Sequence, residues 1–406
     1  MSSSNSHLPH RVALVTGCVA LGGSTTFLVN LAGELVRRGI PVEVLSFERE
    51  NPMGADFQRQ HIPLSCLDQH RMIFEDRLQR ILQQLARFAP TVVAATLGPV
   101  SFEVLRYLPK GVFRIGMGQS DDPQVYQMMR QYTPCMDLAV MVSQVMKHKA
   151  EALPEFAKVP VVSLPYGVPM CTDAELPVRS TVNPLRILYL GRLDQEQKRV
   201  RLFPEILAQL SAAGMPFDWT IAGAGPEREF LEKTLKPAGP GQTVSFAGPV
   251  PYDQVPNLLQ EQDVFLLASD YEGLPLSLLE AMGRGLVPVV SDLKSGIPEV
   301  VDSSNGMLVP IHDVAGYSRA IIHLHEHRDE LAAKSAAARA RVKTDFSVAA
   351  MTDRWLGSFS HPAGAIKWPN EWRITAPLPA QYSIRFTPPL RTLRRLAARL
   401  RPGNGS

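Results

Sequence analysis

Short apolar runs alternate with longer segments of helical period along most of the chain. The first run, Arg11 to Thr16, leads into a glycine loop and a helical pattern from about Thr25 to Arg38. Gly39 stops that helix, and Pro41 to Ser46 reads as a second strand. A strand, a helix and a strand in that order make one unit of a parallel sheet, because parallel neighbours need a crossover too long for a hairpin. Thr91 to Ala95, Phe113 to Met117, Leu138 to Val142 and Val159 to Ser163 continue the strands, with the clearest intervening helix at Glu75 to Phe88. From about Leu164 to Pro184 the periodicity lapses into proline and turn residues, which predicts a hinge. A second alternation follows. It has strands at Arg186 to Leu190, Asp218 to Ala222, Val244 to Phe246, Val264 to Leu267 and Val287 to Val290, and helices near Phe203 to Ala213 and Glu227 to Leu235. The pattern predicts an α/β protein of two doubly wound, Rossmann-like domains facing across a cleft between the carboxyl ends of their strands. Residues 1–175 form the first domain in this reading, 176–350 the second, and 351–406 a terminal helix and basic tail.

Composition supports two cores. At 406 residues the chain is long for one, and 45% hydrophobic with 20% charged residues excludes a disordered class. No apolar run is long enough to span a bilayer and the Ser/Asn-rich opening has no signal-peptide core, so a cytoplasmic protein is expected. Cys18, Cys66, Cys135 and Cys171 lie far apart, without the paired spacing of a zinc site or a redox dithiol. The net charge of +3 conceals a split, since residues 372–406 hold seven arginines and no acid and the body is mildly acidic. Such a body offers nothing to nucleic acid, and any attraction to an anionic surface must come from the tail.

The most informative chemistry lies between Asp263 and Met282. A strand-length apolar run feeds a short acidic loop, and the loop feeds a helix with Pro275 near its first turn, where a missing N–H costs nothing. The free N–H groups of such a helix start suit phosphate oxygens. Glu272 lies just before the start and Glu280 about a turn and a half inside, a separation on the order of 10 Å along the axis. An extended ligand could place a sugar at Glu272, a diphosphate at the helix start and a ribose diol at Glu280. An ordinary strand, turn and capped helix would account for the same residues, were it not for Glu280. It stands among Leu278, Leu279, Ala281 and Met282, where a partly buried carboxylate needs partners.

Two other loops follow strands directly. In the segment Gly191 to Arg199, Arg192 and Lys198 emerge at the carboxyl edge of the second sheet, where two cations could neutralise a departing diphosphate; a solvated charged loop is the competing reading. Gly223 to Pro226 reads as a tight strand-to-helix turn, since the third glycine and the acidic residue of a dinucleotide fingerprint are missing. In the first domain, Gly17 to Ser24 has the context of a phosphate-binding P-loop, but Gly23 stands where that motif requires lysine, which removes the charge an ATPase needs.

Glu272, Gly273, Leu274, Pro275 and Glu280, followed by Gly283 to Asp292, resemble the Glu-x7-Glu region of the retaining family 4 glycosyltransferases, which have the GT-B fold. The Gly-Arg-Leu at Gly191, the Gly-x-Gly-Pro at Gly223, Ser295 to Val301 and Asn305 to Val309 extend the resemblance through nearly all of residues 185 to 313. It implies transfer of a sugar from a UDP-, GDP- or ADP-sugar, with retention of configuration and with neither a protein nucleophile nor a metal. The acceptor would be a glycan, a lipid-linked sugar or a small molecule. Arg192 and Lys198 would meet the donor phosphates together with the helix start at Gly273, Leu274, Leu276 and Ser277; Glu272 would hold sugar hydroxyls and Glu280 the ribose. The paired Gly22 and Gly23 resemble glycines that let backbone approach donor or acceptor. Arg199 departs from the glycine often found after the lysine. So does Gln119, in Gln119-Ser-Asp121-Asp122-Pro123, from a histidine that touches the transferred sugar; glutamine can hydrogen-bond but cannot take a proton. That departure keeps open a catalytically silent donor-binding or partner subunit of the same fold.

The remaining features divide between bland and functional readings. Asp122-Pro123 suits a helix start better than a metal motif, and no divalent cation is expected. His323, His325 and His327 lie among charged residues, as on a solvated helix face. Residues 385–401 place leucines at helical spacing beside arginines, the pattern of an interfacial helix drawn to anionic lipid at a cytoplasmic membrane face; a helix packed on the first domain and a frayed tail are the competing readings.

Overall fold

Apolar and β-branched residues run almost without polar interruption through the central strands, as sheets covered on both faces require. The computed structural model describes residues 10–47, 51–67, 72–172, 184–237, 239–361 and 364–374. Segment 385–401 and much of the expected hinge lie outside the described residues. The chain divides into two compact units: one takes the chain up to Met141, Ala150–Val162 and the part from Trp355 onward, the other Val142–Lys149 and Ser163–Arg354.

The first unit contains β1 (Val12–Thr16), β2 (Val42–Ser46), β3 (Leu64–Cys66), β4 (Val92–Leu97), β5 (Phe113–Gly118), β6 (Leu138–Met141) and β7 (Val161–Ser163). Their spatial order is β3-β2-β1-β4-β5-β6-β7, and neighbours from β3 to β6 pair in parallel. Every residue of β1 is buried. Helix Gly23–Arg37 packs Phe27 against Trp355, with ring centroids 5.8 Å apart. That helix begins at Gly23 rather than at Thr25, because Gly22, at φ 149°, turns the chain in a conformation that side-chain-bearing residues rarely adopt.

The second unit contains β8 (Leu185–Leu190), β9 (Phe217–Ala222), β10 (Gln242–Gly248), β11 (Val264–Leu267), β12 (Val287–Ser291) and β13 (Met307–Val309), ordered β10-β9-β8-β11-β12-β13 and parallel throughout. Beneath the sheet, helix Phe203–Ala212 sets Phe203 between Tyr189 and Trp219, at centroid distances of 5.0 and 5.3 Å. The three-residue strands β3 and β13 are absent from the sequence reading, being too short to show a period. Helix Arg328–Asp345 is also absent from it: its buried Leu331, Lys334, Ala338 and Val342 keep helical spacing, but charged residues dilute the stripe.

In each unit the chain order reverses beside the first strand, between β1 and β4 and between β8 and β11. The crossovers that leave the carboxyl ends of those strands depart in opposite directions, which makes a crevice there, the usual ligand position in such sheets. In the second unit the crevice wall depends on bare backbone. A Cβ on Gly223 would lie 1.8 Å from the Gly191 carbonyl oxygen, and one on Gly225 2.2 Å from that of Leu193. Both glycines have positive φ, so the segment is the tight turn the sequence suggests, bonded through Leu193 N–H to the Ala224 carbonyl at 2.8 Å. Gly223→Ala should therefore lower unfolding stability by about 3 kcal/mol or more, through strain and displaced backbone. A denaturant midpoint equal to that of wild type would contradict this.

Candidate functional site

The loop after β8 folds back on itself around Asp194, whose Oδ1 accepts from the Gln197 and Lys198 N–H groups at 2.8 and 3.2 Å. A short side chain that bonds the backbone a few residues on makes such a turn in place of a continued strand. The turn brings Lys198 over the loop that follows β11. Lys198 Nζ pairs there with Glu272 Oε1, and both side chains are largely buried. Ser269 Oγ donates to the same oxygen at 2.7 Å, and Gln197 Nε2 approaches Oε2 at 3.4 Å. Gln197 also donates to the Tyr271 carbonyl at 3.1 Å and accepts from Arg192 Nη2 at 2.5 Å. Arg192 Nη2 also lies 3.6 Å from Asp194 Oδ2, yet 70% of its side chain is exposed, so a ligand at the sheet edge can still reach its charge.

Glu272 leads into helix Leu276–Gly283. Pro275 is its N-cap, with no side-chain cap and no acid in the first turn, so the leading N–H groups keep their capacity to bind an anion. Gly273 and Leu274, both buried, are held from the β12 side: Gly296 N–H donates to the Gly273 carbonyl at 2.8 Å, and a Cβ on Gly296 would lie 2.6 Å from that oxygen. Glu280, one turn into the helix, has no side-chain partner among the described residues. It keeps some surface exposure, yet burial alone pushes its pKa from 4.5 to about 8.

The second unit therefore brings Arg192, Lys198, Glu272, Gly273, Leu274, Leu276, Ser277 and Glu280 to one edge of one sheet, at its crevice. Gly22 and Gln119 belong to the first unit, on the loops leaving β1 and β5, and Gly23 opens the helix that follows β1. Gly22 and Gly23 are exposed, and Gln119 is half-buried with Nε2 3.8 Å from the Met117 sulfur. Asp122 caps helix Pro123–Met129 by accepting from Gln124 N–H at 2.8 Å, as the helix-start reading requires. His323 and His327 stack on each other, and His323 Nε2 lies 2.7 Å from Glu330. Among the described residues no group of three or more His, Cys, Asp or Glu side chains could hold a metal ion. Gln197, Ser269 and Gly296 are site residues that motif reading passes over. Gln197 could have been suspected from its place beside Lys198, whereas nothing in sequence joins Gly296 to Gly273.

Residues 184–327, which contain this whole edge, match the family model described as glycosyl transferases group 1. Over this segment the chain is similar to the group 1 glycosyltransferases. The chain is 35% identical over 189 residues to the putative colanic acid biosynthesis glycosyltransferase WcaL of Escherichia coli K12, covering 45% of this chain and 46% of that protein. It is 34% identical over 171 residues to the amylovoran biosynthesis glycosyltransferase AmsK of Erwinia amylovora, covering 40% and 42%. The chain thus spans less than half the length of these curated relatives. Among solved structures, TarM of S. aureus, in a complex with fondaparinux, alpha-GlcNAc-glycerol and UDP, superposes with a TM-score of 0.70 at 13% identity over 86% of this chain and 99% of its own. HepE of Anabaena, with UDP and glucose, gives 0.68 at 16% identity over 86% and 100%. At such identities the likeness shows the fold, which is GT-B, two Rossmann-like parallel-sheet domains.

Glu280 gives the second unit a pH signature. Its folded value exceeds the unfolded one, so between about 4.5 and 8 the native state holds a proton that the unfolded chain has released, and stability falls as pH rises through that window. Glu280→Gln, which mimics the protonated acid, should match wild type near pH 4 and gain on it by on the order of 4 kcal/mol by pH 8. Parallel stability curves across that range would show an ordinary carboxyl.

Proposed function

We propose that the chain is a retaining, metal-independent glycosyltransferase that moves a sugar from a nucleoside diphosphate sugar to a glycan or lipid-linked acceptor in polysaccharide assembly. The observation that carries this is the convergence, in the second unit, of two cations, an uncapped helix start and an unpartnered carboxyl on one sheet edge. A nucleoside diphosphate sugar would use each of them, with diphosphate at the cations and helix start and ribose hydroxyls at Glu280, and would leave its hexose for Glu272. The colanic acid and amylovoran names of the relatives support a polysaccharide acceptor, and UDP in TarM and HepE supports the donor class.

In this reading the acceptor hydroxyl attacks the anomeric carbon from the face on which the diphosphate departs, and its proton passes to an oxygen of the leaving phosphate. Arg192, Lys198 and the N–H groups at Leu276 and Ser277 stabilise the charge that grows on the leaving phosphate. The pairing of Lys198 with Glu272 holds that cation in a fixed position at the sheet edge. We assign Gln119 the hydrogen bond to the transferred sugar, a role a carboxamide fills without taking a proton. We place the reaction at the cytoplasmic face of a membrane, with residues 385–401 as the lipid-facing segment.

Thermal stabilisation by a panel of UDP-, GDP- and ADP-sugars should select one donor, since a ligand of the native state alone raises the midpoint. With that donor, Arg192→Ala should lower kcat/KM by about 1.5–3 kcal/mol, mostly in kcat, because leaving-group charge is larger in the transition state. Product of the donor's own anomeric configuration, formed equally well in a chelator, is expected; inverted product or full loss in chelator would refute the mechanism. Donor binding without transfer, restored by Gln119→His, would instead make the natural chain a silent subunit. Binding to anionic vesicles should fall with added salt and with removal of 385–401, as exposed charges are screened within about 10 Å at moderate ionic strength. Indifference to such vesicles at low salt would remove the lipid assignment.

A further inference from the structure

Arg199 has left-handed backbone, φ 50° and ψ 36°, which a glycine adopts freely and a residue with a Cβ does not. His312, in the loop after β13, is also left-handed, at φ 64°. Both side chains converge on one carboxylate. Arg199 Nε donates to Asp270 Oδ2 at 2.5 Å, its Nη2 pairs with the same oxygen, and His312 Nε2 meets Oδ1 at 2.7 Å. Strained backbone persists where its surroundings hold it, and sites of function are where it gathers. Loops from β8, β11 and β13 thus meet at Asp270, two residues before Glu272, while Arg199 directly follows Lys198. The backbone repeats the connection, since Asp270 N–H donates to the Gln197 carbonyl at 2.9 Å.

We propose that Arg199, Asp270 and His312 form a positioning clamp that fixes the loop carrying Lys198 against the loop carrying Glu272. The clamp touches neither donor nor acceptor. Its side chains are partly exposed, 34% for Arg199 and 20% for Asp270, and ion pairs in such surroundings add little to global stability. Their effect lies in where they hold the neighbouring pair. Reacting groups displaced by about 1 Å can lose on the order of a hundredfold in rate, so a loop allowed to drift should show first in turnover. The proposal rests on Lys198 and Glu272 handling the donor, and its test has a readout that does not.

Arg199→Gly keeps the backbone conformation and removes only the side chain. Its unfolding midpoint should equal or exceed that of wild type, while the amides of Asp270 and Lys198 exchange with solvent faster. With a donor in hand, kcat should fall about tenfold with little change in donor KM, as expected for lost alignment. Arg199→Lys, which keeps the charge without the forked guanidinium, should recover part of the loss, and Asp270→Asn should behave like Arg199→Gly. If exchange at the two amides is unchanged in Arg199→Gly, the clamp is overturned. A fall in kcat without faster exchange also overturns it, by making Arg199 a substrate contact. Faster exchange in a protein whose wild type transfers no sugar from any donor would uphold the clamp and remove the glycosyltransferase reading instead.

Discussion

Parallel strand pairing is the constraint from which the site follows. Every strand of the second unit runs the same way, so each must be followed by a crossover, and all strand-to-helix loops leave from one edge. Arg192, Gly223, Glu272, Gly296 and His312 are scattered along the chain, yet each follows a different strand of that sheet. Because β9 and β11 flank β8 on opposite sides, the crossovers after β8 and β11 depart in opposite directions, while the loops themselves stay joined through Lys198 and Glu272. An antiparallel sheet of the same strands would send half of these loops to the opposite edge.

Electrostatics at that edge is arranged in two ways. Glu272 is buried, and a buried charge left alone is costly, but Lys198, Ser269 and Gln197 supply its partners within the protein. Glu280 is treated oppositely: no described side chain reaches it, and the fold accommodates it by favouring the neutral acid. One carboxylate is thus fixed in place in the absence of any ligand. The other holds hydrogen-bonding capacity that the protein leaves unused.

Much of this was legible in the sequence. The strand Val264 to Leu267 is observed with those bounds, and other expected strands differ from the observed ones by a residue or two at their ends, because long apolar runs bounded by glycine and proline leave little freedom. Arg192, Lys198, Glu272 and Glu280 were visible as charges at strand and helix boundaries. Their interactions were not, because the Lys198–Glu272 pair depends on an Asx turn at Asp194 that no apolar period encodes. The short β3 and β13 escaped notice since three residues cannot display alternation, and with β13 went the means of seeing that His312 reaches Asp270. The turn at Gly223 and Gly225 is readable from the glycines themselves, but what they avoid, the carbonyls of Gly191 and Leu193, is a neighbour in space alone.

That fit sets where the chain tolerates change of length. The turn after β9 and the loop after β8 lie carbonyl against glycine, and an inserted residue in either would have to expel the other from the sheet edge. At the amino-terminal end of β9 the situation reverses. Gly214, exposed and at φ 66°, would meet nothing within 4 Å if it carried a Cβ. A reporter peptide or an affinity tag spliced into that turn would be carried at the end of the sheet away from the loops of Lys198 and Glu272, leaving the architecture of that edge intact.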